Sequence, residues 1–238
     1  MRANWCVEYC FIPLHRKRSP FPTLGKEFER TKLGGELRGD IMNESKKIMY
    51  IISGCNGAGK TTASLRVLPE VLNCKQFVNA DEIARGLSPL DPESMSIEAG
   101  RLMKARCDQL IEGDDNFAME TTLSARTYTK IVHRAQEKGF QVHLIFFWLK
   151  GPEAAITRVA QRVQEGGHNV PQNVIIRRYY WGLNNLFNLF MPIVDVWMLF
   201  DNSDMQKVMI ASGGANIETK IYNQQLFNEI KNQCLLKN

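Results

Sequence analysis

Nine residues constrain this chain more than any others: Gly-Cys-Asn-Gly-Ala-Gly-Lys-Thr-Thr at positions 54–62, entered from the apolar run Met49–Ser53. Gly54, Gly59, Lys60 and Thr61 fit the spacing G-x-x-x-x-G-K-[ST]. Glycines let the backbone curl so that successive N–H groups point inward, which makes a cradle for phosphate oxygens. The helix expected after the loop adds the partial positive charge of its N-terminus. Gly54, Asn56, Gly57, Ala58, Gly59, Lys60, Thr61 and Thr62 are therefore the candidate nucleotide-binding stretch. Lys60 is expected to reach the outer phosphates, and the Thr61 hydroxyl to hold Mg²⁺.

A loop of this kind needs a sheet behind it, and the rest of the sequence supplies one. Strands are predicted at Ile48–Ser53, Gln76–Asn79, Asn116–Met119, Val142–Leu149, Val194–Phe200 and Val208–Ala211. Helices fall between most of them, at Lys60–Leu72, Ser94–Glu112, Tyr128–Glu137, Pro152–Glu165 and Gln172–Leu189, with a last one over Glu218–Asn232. In the helix over 94–112, Ile97, Leu102, Cys107 and Leu110 are expected inward. Strands alternating with helices imply a parallel sheet covered on both faces. The expected fold class is α/β: a P-loop NTPase fold with a parallel five-stranded sheet, helices on both faces and a helical lid over 158–180. The nucleotide-binding domain is taken as 48–238.

Residues 1–47 differ in character, with Pro, Gly and mixed charge but no sustained period, and are expected to be a disordered extension. They hold ten Lys/Arg against six Asp/Glu, which accounts for most of the +5 net charge. The remaining chain is nearly neutral, so no basic channel for nucleic acid is expected. Met42 lies just ahead of the first strand and is the expected natural start. No apolar run reaches the roughly 18 residues of a membrane span, and no signal peptide is evident. The six cysteines have no framework spacing, and Cys6 and Cys10 lack a second pair for zinc. Reduced thiols and a cytoplasmic location follow.

What becomes of the terminal phosphate depends on the next strand ends. Asp81 and Glu120 both fall just past a predicted strand, on the rim where open parallel sheets bind ligands. A carboxylate there can take a proton from an attacking hydroxyl or help hold Mg²⁺. Asp81 could equally cap the helix that begins at "NADEIA", and Glu120 could be a solvated loop end. Further along, Arg158 and Arg162 share a helical face. The break Gly166–Pro171, carrying His168, and then Arg177 and Arg178 follow. An arginine-rich hairpin can close over a triphosphate and neutralise developing charge, or its arginines can pair with surface acids. Asn202, in "FDNSD", stands where a wall around adenine would lie. The aromatic run "YYWGLNNLFNLF" is expected in the core or beneath the lid. The strand "VHLIFFWLK" ends without the Asp of many ATPases, and no GTP-specific "NKxD" occurs. Both absences favour phosphoryl transfer to a small molecule.

Four blocks in this order, "SGCNGAGKTT", "NADEIARGLSP", "METTLS" and "RVQEGGHNVP…RRYY", resemble the zeta-toxin-like P-loop kinases. The resemblance implies ATP and Mg²⁺ on Lys60 and Thr61, with Asp81 as the base facing an acceptor hydroxyl. It implies Glu120 and Thr122 as the substrate-holding acid and threonine, and Arg158 or Arg162 as the first lid arginine. The implied acceptor is UDP-N-acetylglucosamine or a related sugar nucleotide, and the implied protein partner is an antitoxin. The chain departs from the pattern at "GGHNVP", where toxin members carry a second lid arginine, so His168 or Arg162 would take its place. An ATP-binding regulatory module acting through a protein partner is the alternative.

Overall fold

The computed structural model describes residues 47–70, 72, 74–167, 169–204 and 207–235. The expectations for the basic extension, Met42, Cys6, Cys10 and His168 fall outside these residues. Strands β1 (Ile48–Gly54), β2 (Gln76–Asn79), β3 (Phe117–Thr121), β4 (Gln141–Trp148) and β5 (Val196–Asp201) run parallel in the order β2–β3–β1–β4–β5. Two antiparallel strands, β6 (Val208–Gly214) and β7 (Ile217–Ile221), extend this sheet beyond β5 to seven strands. The helices are α1 (Lys60–Glu70), α2 (Ala80–Leu87), α3 (Ser96–Ile111), α4 (Tyr128–Glu137), α5 (Pro152–Gln164), α6 (Gln172–Asn185) and α7 (Gln224–Leu235).

The five parallel strands are those that the hydrophobic runs mark. β3 is buried throughout and β4 nearly so, as expected of strands covered on both faces. The hairpin differs from expectation. Glu218 opens no helix, because Ile217–Ile221 is an edge strand, and the last helix begins at Gln224. Most of β7 is exposed, so it has no buried alternate face to mark it as a strand in the sequence. Its Glu218 and Lys220 suit an edge that must not pair with other chains.

The inward face of α3 also differs from expectation. Ala99, Met103, Cys107 and Ile111, each four residues after the last, are buried, whereas Ile97 is 79% exposed and Leu102 40%. Only Cys107 of the expected set is in the core. The small Ala99 is a buried position that a count of large apolar residues passes over.

From β1 the chain crosses to one side, to β2, and returns to β3; from β3 it crosses β1 to reach β4. This reversal leaves a crevice at the carboxyl ends of β1 and β3, the place where open α/β sheets bind ligands. Gly54 closes β1 at φ +140°, and a Cβ there would collide with the carbonyl oxygen of Phe147 on β4. Only glycine lets the chain leave the sheet at this angle.

Candidate active site

The loop after β1 is held from behind. Gly57 (φ +76°) and Gly59 (φ +74°) adopt left-handed conformations. A Cβ on Gly57 would lie 3.0 Å from the Ala155 carbonyl oxygen, and one on Gly59 would lie 2.9 Å from Asn202 Nδ2. Asn202 is buried and donates from Nδ2 to the Ala58 carbonyl at 2.7 Å. Its side chain therefore braces the back of the loop. Lys60 is 7% exposed, and its Nζ donates to the Cys55 carbonyl at 3.0 Å. Asn56 is also buried, and its Oδ1 has no hydrogen-bond partner. Ala58 is wholly buried, and Thr62 is exposed on α1.

The end of β3 lies beside this loop because β1 and β3 pair, with Ser53 opposite Thr121. Thr61 Oγ1 lies 2.9 and 3.0 Å from the two carboxylate oxygens of Glu120 and donates to that carboxylate. Lys60 Nζ stands 3.9 Å from Glu120 Oε1. Glu120 is thus joined to the nucleotide loop through Thr61 and also lines the cavity that holds Asp81. It is 6% exposed. Burial raises its carboxyl above the usual range; Lys60 and the Thr61 hydrogen bond oppose the rise, and Asp81 and Glu82 add to it.

A carboxyl raised in the folded state binds its proton there more tightly than in the unfolded chain. Stability from this group is therefore fully present below the unfolded value and is lost as pH rises through the folded one. Glu120→Gln keeps the size and an acceptor for Thr61 but removes the charge. Its melting temperature is expected to exceed the parent's at neutral pH, with the gap closing on acidification into the ordinary carboxylate range. Thermal melts of both proteins across that range check this.

Asp81 sits in the first turn of α2, but the cap is Asn79, whose side-chain oxygen accepts from the Asp81 N–H at 2.8 Å. The Asp81 carboxylate is thereby left exposed. With Lys60, Glu120, Thr122, Tyr128 and Arg178, it lines a cavity of about 230 Å³. Burial raises the Tyr128 phenol as it does Glu120, and the nearby negative charge of Asp81 adds to the rise in both. Thr122 and Ser124 hydroxyls meet at 2.9 Å on its wall.

Tyr128 enters the site without having been expected there, and Arg178, expected in the lid hairpin, lines this cavity. Arg178 lies one turn before Gly182 on α6, and a Cβ on Gly182 would stand 2.5 Å from the Thr122 carbonyl. That close approach turns the Arg178 face of the helix toward the strand end. The sequence hint is the pair Arg178 and Gly182 at helical spacing, which acquires meaning only once its partner is known. Of the expected lid arginines, neither Arg158 nor Arg162 lines the cavity. Arg158 packs beside the phosphate loop, its Cβ 3.1 Å from where one on Gly57 would be, and donates to the Ser203 carbonyl at 2.7 Å. The Arg162 carbonyl accepts from the Gly167 N–H at 2.8 Å, closing the end of α5.

Between the cavity and α6 runs a strained turn. Leu123 is the one non-glycine residue with positive φ (+56°) among the described residues. It is fully buried. Its N–H donates to Thr121 Oγ1 at 3.1 Å, and its carbonyl accepts from Asn185 Nδ2 at 2.7 Å. Strain of this kind costs about 1–3 kcal/mol and persists where the surroundings fix it, often at functional sites.

A phosphate loop whose lysine shares a cavity with carboxylates from neighbouring strand ends defines a P-loop kinase. The family model for zeta toxin matches residues 35–206, and the chain belongs to the zeta toxin family. An uncharacterized protein of Haemophilus influenzae is 33% identical over 137 residues, 57% of this chain and 94% of that protein. Among solved structures, a chain of the AvrRxo1-ORF1:AvrRxo1-ORF2 complex with sulphate ions superposes with a TM-score of 0.66 at 19% identity. The match covers 82% of this chain and 66% of that one, so this chain spans just under two thirds of that relative's length. A chain of the same complex with ATP gives a TM-score of 0.64 at 20% identity, covering 82% of this chain and 66% of that one. A chain of the PezAT chromosomal toxin–antitoxin system of Streptococcus pneumoniae gives 0.55 at 16% identity, covering 94% of this chain and 99% of that one. At these identities the structural matches show the fold. Among the described residues, no helix is long and apolar enough to cross a membrane.

Proposed function

We propose that this protein is an ATP-dependent kinase that transfers the terminal phosphoryl group to a hydroxyl of a small molecule, foremost a sugar nucleotide such as UDP-N-acetylglucosamine. The observation that carries the reading is that Lys60 and Asp81 line one cavity, so phosphate and acceptor would meet there. The loop fits a polyphosphate: its left-handed glycines turn the backbone inward, and Asn56 Oδ1 is buried without a partner. ATP-bound AvrRxo1-ORF1:-ORF2, with a similar fold, supports the choice of nucleotide.

Mg²⁺ also fits. Thr61 and Glu120 offer oxygen donors only, as a hard cation prefers. Among the described residues no cluster of three His, Cys, Asp or Glu could hold a metal by protein ligands alone, which suits an ion that keeps waters and phosphate oxygens. Bound there, it would neutralise charge on the phosphates. Lys60, now on a loop carbonyl, exchanges that partner for a phosphate oxygen. Asp81 accepts the proton of the acceptor hydroxyl as its oxygen bonds to phosphorus and ADP leaves. Thr122 and Arg178 orient the acceptor. Arg158, with α5 and α6 as a lid, adds positive charge beside the loop.

The AvrRxo1-ORF1:AvrRxo1-ORF2 complex supports a protein partner, and the PezAT toxin–antitoxin system supports an antitoxin in that place. The test is incubation with labelled ATP, Mg²⁺ and a metabolite panel, read by mass spectrometry. A phosphorylated sugar nucleotide is the expected product. ATP hydrolysis indifferent to every acceptor would favour the regulatory module instead.

A further inference from the structure

The turn after Glu120 and the helix that leans on it each hold a rare backbone state. Leu123, with its left-handed φ, stands between Thr122 and Ser124, both of which line the cavity that holds Asp81. α6 runs into a π-helical stretch, Leu186–Phe190, whose widened turn is closed by the Met191 N–H donating to the Leu186 carbonyl at 2.9 Å. Such turns are uncommon and recur at functional sites. Asn185 is the last residue of α6 before that stretch, and its side chain joins the two features. It is 3% exposed, and its bond to the Leu123 carbonyl spans 62 residues of chain.

Arg178, Gly182 and Asn185 fall four and then three residues apart, so they share one face of α6. Each meets the end of β3. Arg178 lines the cavity, Gly182 sits under the Thr122 carbonyl, and Asn185 holds the next carbonyl along. Trp181 was expected in the core, yet it is 54% exposed, with the Arg177 guanidinium 5.4 Å from its ring. The contact at Gly182 is close but not directional, so by itself it leaves the helix free to roll. The Asn185 hydrogen bond removes that freedom. Among the described residues the Arg178 guanidinium has no hydrogen bond or ion pair, so its place in the cavity is set by the helix and not by a partner.

We propose that Asn185 is a positioning residue for phosphoryl transfer. Its one hydrogen bond fixes the strained turn that carries the paired Thr122 and Ser124 hydroxyls, and it fixes the rotation of α6 that presents Arg178. Asn185 does not itself line the cavity with Asp81; it acts through groups that do. The proposal rests on the kinase reading of that cavity and adds the residue that assembles its acceptor side. It also accounts for the strain, since a left-handed leucine needs a clamp to persist.

The test is steady-state kinetics of the full chain with ATP, Mg²⁺ and UDP-N-acetylglucosamine. Asn185→Leu keeps the size and loses the donor; Asn185→Ser is a milder change whose hydroxyl falls short of the Leu123 carbonyl. Melts show that each is folded at the assay temperature. Both are expected to lose at least about tenfold in kcat/KM for the acceptor, as a misplaced group does, with the KM for ATP within about twofold of the parent's. In an Arg178→Gln background, Asn185→Ser is expected to cost no more than about threefold further, because one group that it places is already gone. A buried amide that served stability alone would give a loss that multiplies in full in that background and affects ATP and acceptor alike. That outcome, or parent-like kcat/KM in the folded variants, overturns the proposal. Failure of the kinase reading would look different, with no phosphorylated product from the parent itself, and would take this role of Asn185 with it.

Discussion

Asp81→Asn is expected to bind ATP with the parent's affinity and to transfer phosphate at least about a hundredfold more slowly, the lower end of what a positioned general base contributes. The substitution is local. Asp81 is exposed, and the helix cap belongs to Asn79, which bonds the Asp81 backbone N–H and leaves the side chain free of structural duty. An amide of the same shape preserves packing and the hydrogen bond of that N–H, but it cannot accept a proton from an alcohol. Because the Asp81 charge helps raise Glu120, the variant should also show a lower Glu120 carboxyl. Turnover and nucleotide titration, measured on one preparation, separate the two effects. Parent-like turnover would remove Asp81 from the base role, whatever happened to Glu120.

The sequence makes the parallel sheet and the phosphate loop legible because both rest on local, repeated signals. Buried strands are apolar runs, and a cradle of left-handed backbone has to be written in glycine. The carboxylates are legible as positions, since a strand end in a parallel sheet is a defined place. Their duties are less so. That Glu120 is bonded to Thr61, 59 residues away, is something no local pattern encodes. Asn202 shows the same limit. Its position near the loop follows from strand order, but its brace on Ala58 spans 144 residues. The facing of Arg178 and Trp181 was hidden for a different reason. An arginine and a tryptophan on an aromatic-rich helix fit a surface face and a core face equally well. Gly182 decides between them by letting the helix press on the Thr122 carbonyl, which sets its rotation.

Lys60→Met is expected to reduce transfer by about a thousandfold, on the scale of losing a preorganised charge at the site of bond breaking. It should also alter stability in a way that a simple loss of a phosphate contact would not. Lys60 is a buried cation 3.9 Å from the buried Glu120 carboxylate, and it is the largest influence holding that carboxyl down. A lost partner for a buried charge is usually costly, but a carboxyl can escape by taking a proton. In Lys60→Met, Glu120 should therefore titrate higher than in the parent, and stability should fall more steeply as pH rises toward neutrality. Adding Glu120→Gln removes the group that titrates. The double variant should recover melting temperature at neutral pH and lose the added slope, while transfer stays as low as in Lys60→Met. Coupling in stability without coupling in turnover would show that the pair is electrostatically joined and that the lysine acts on the phosphate in its own right. Melts of the four proteins across pH, with turnover on each, supply the cycle. A Lys60→Met protein whose pH dependence matches the parent's would break the link between the two residues.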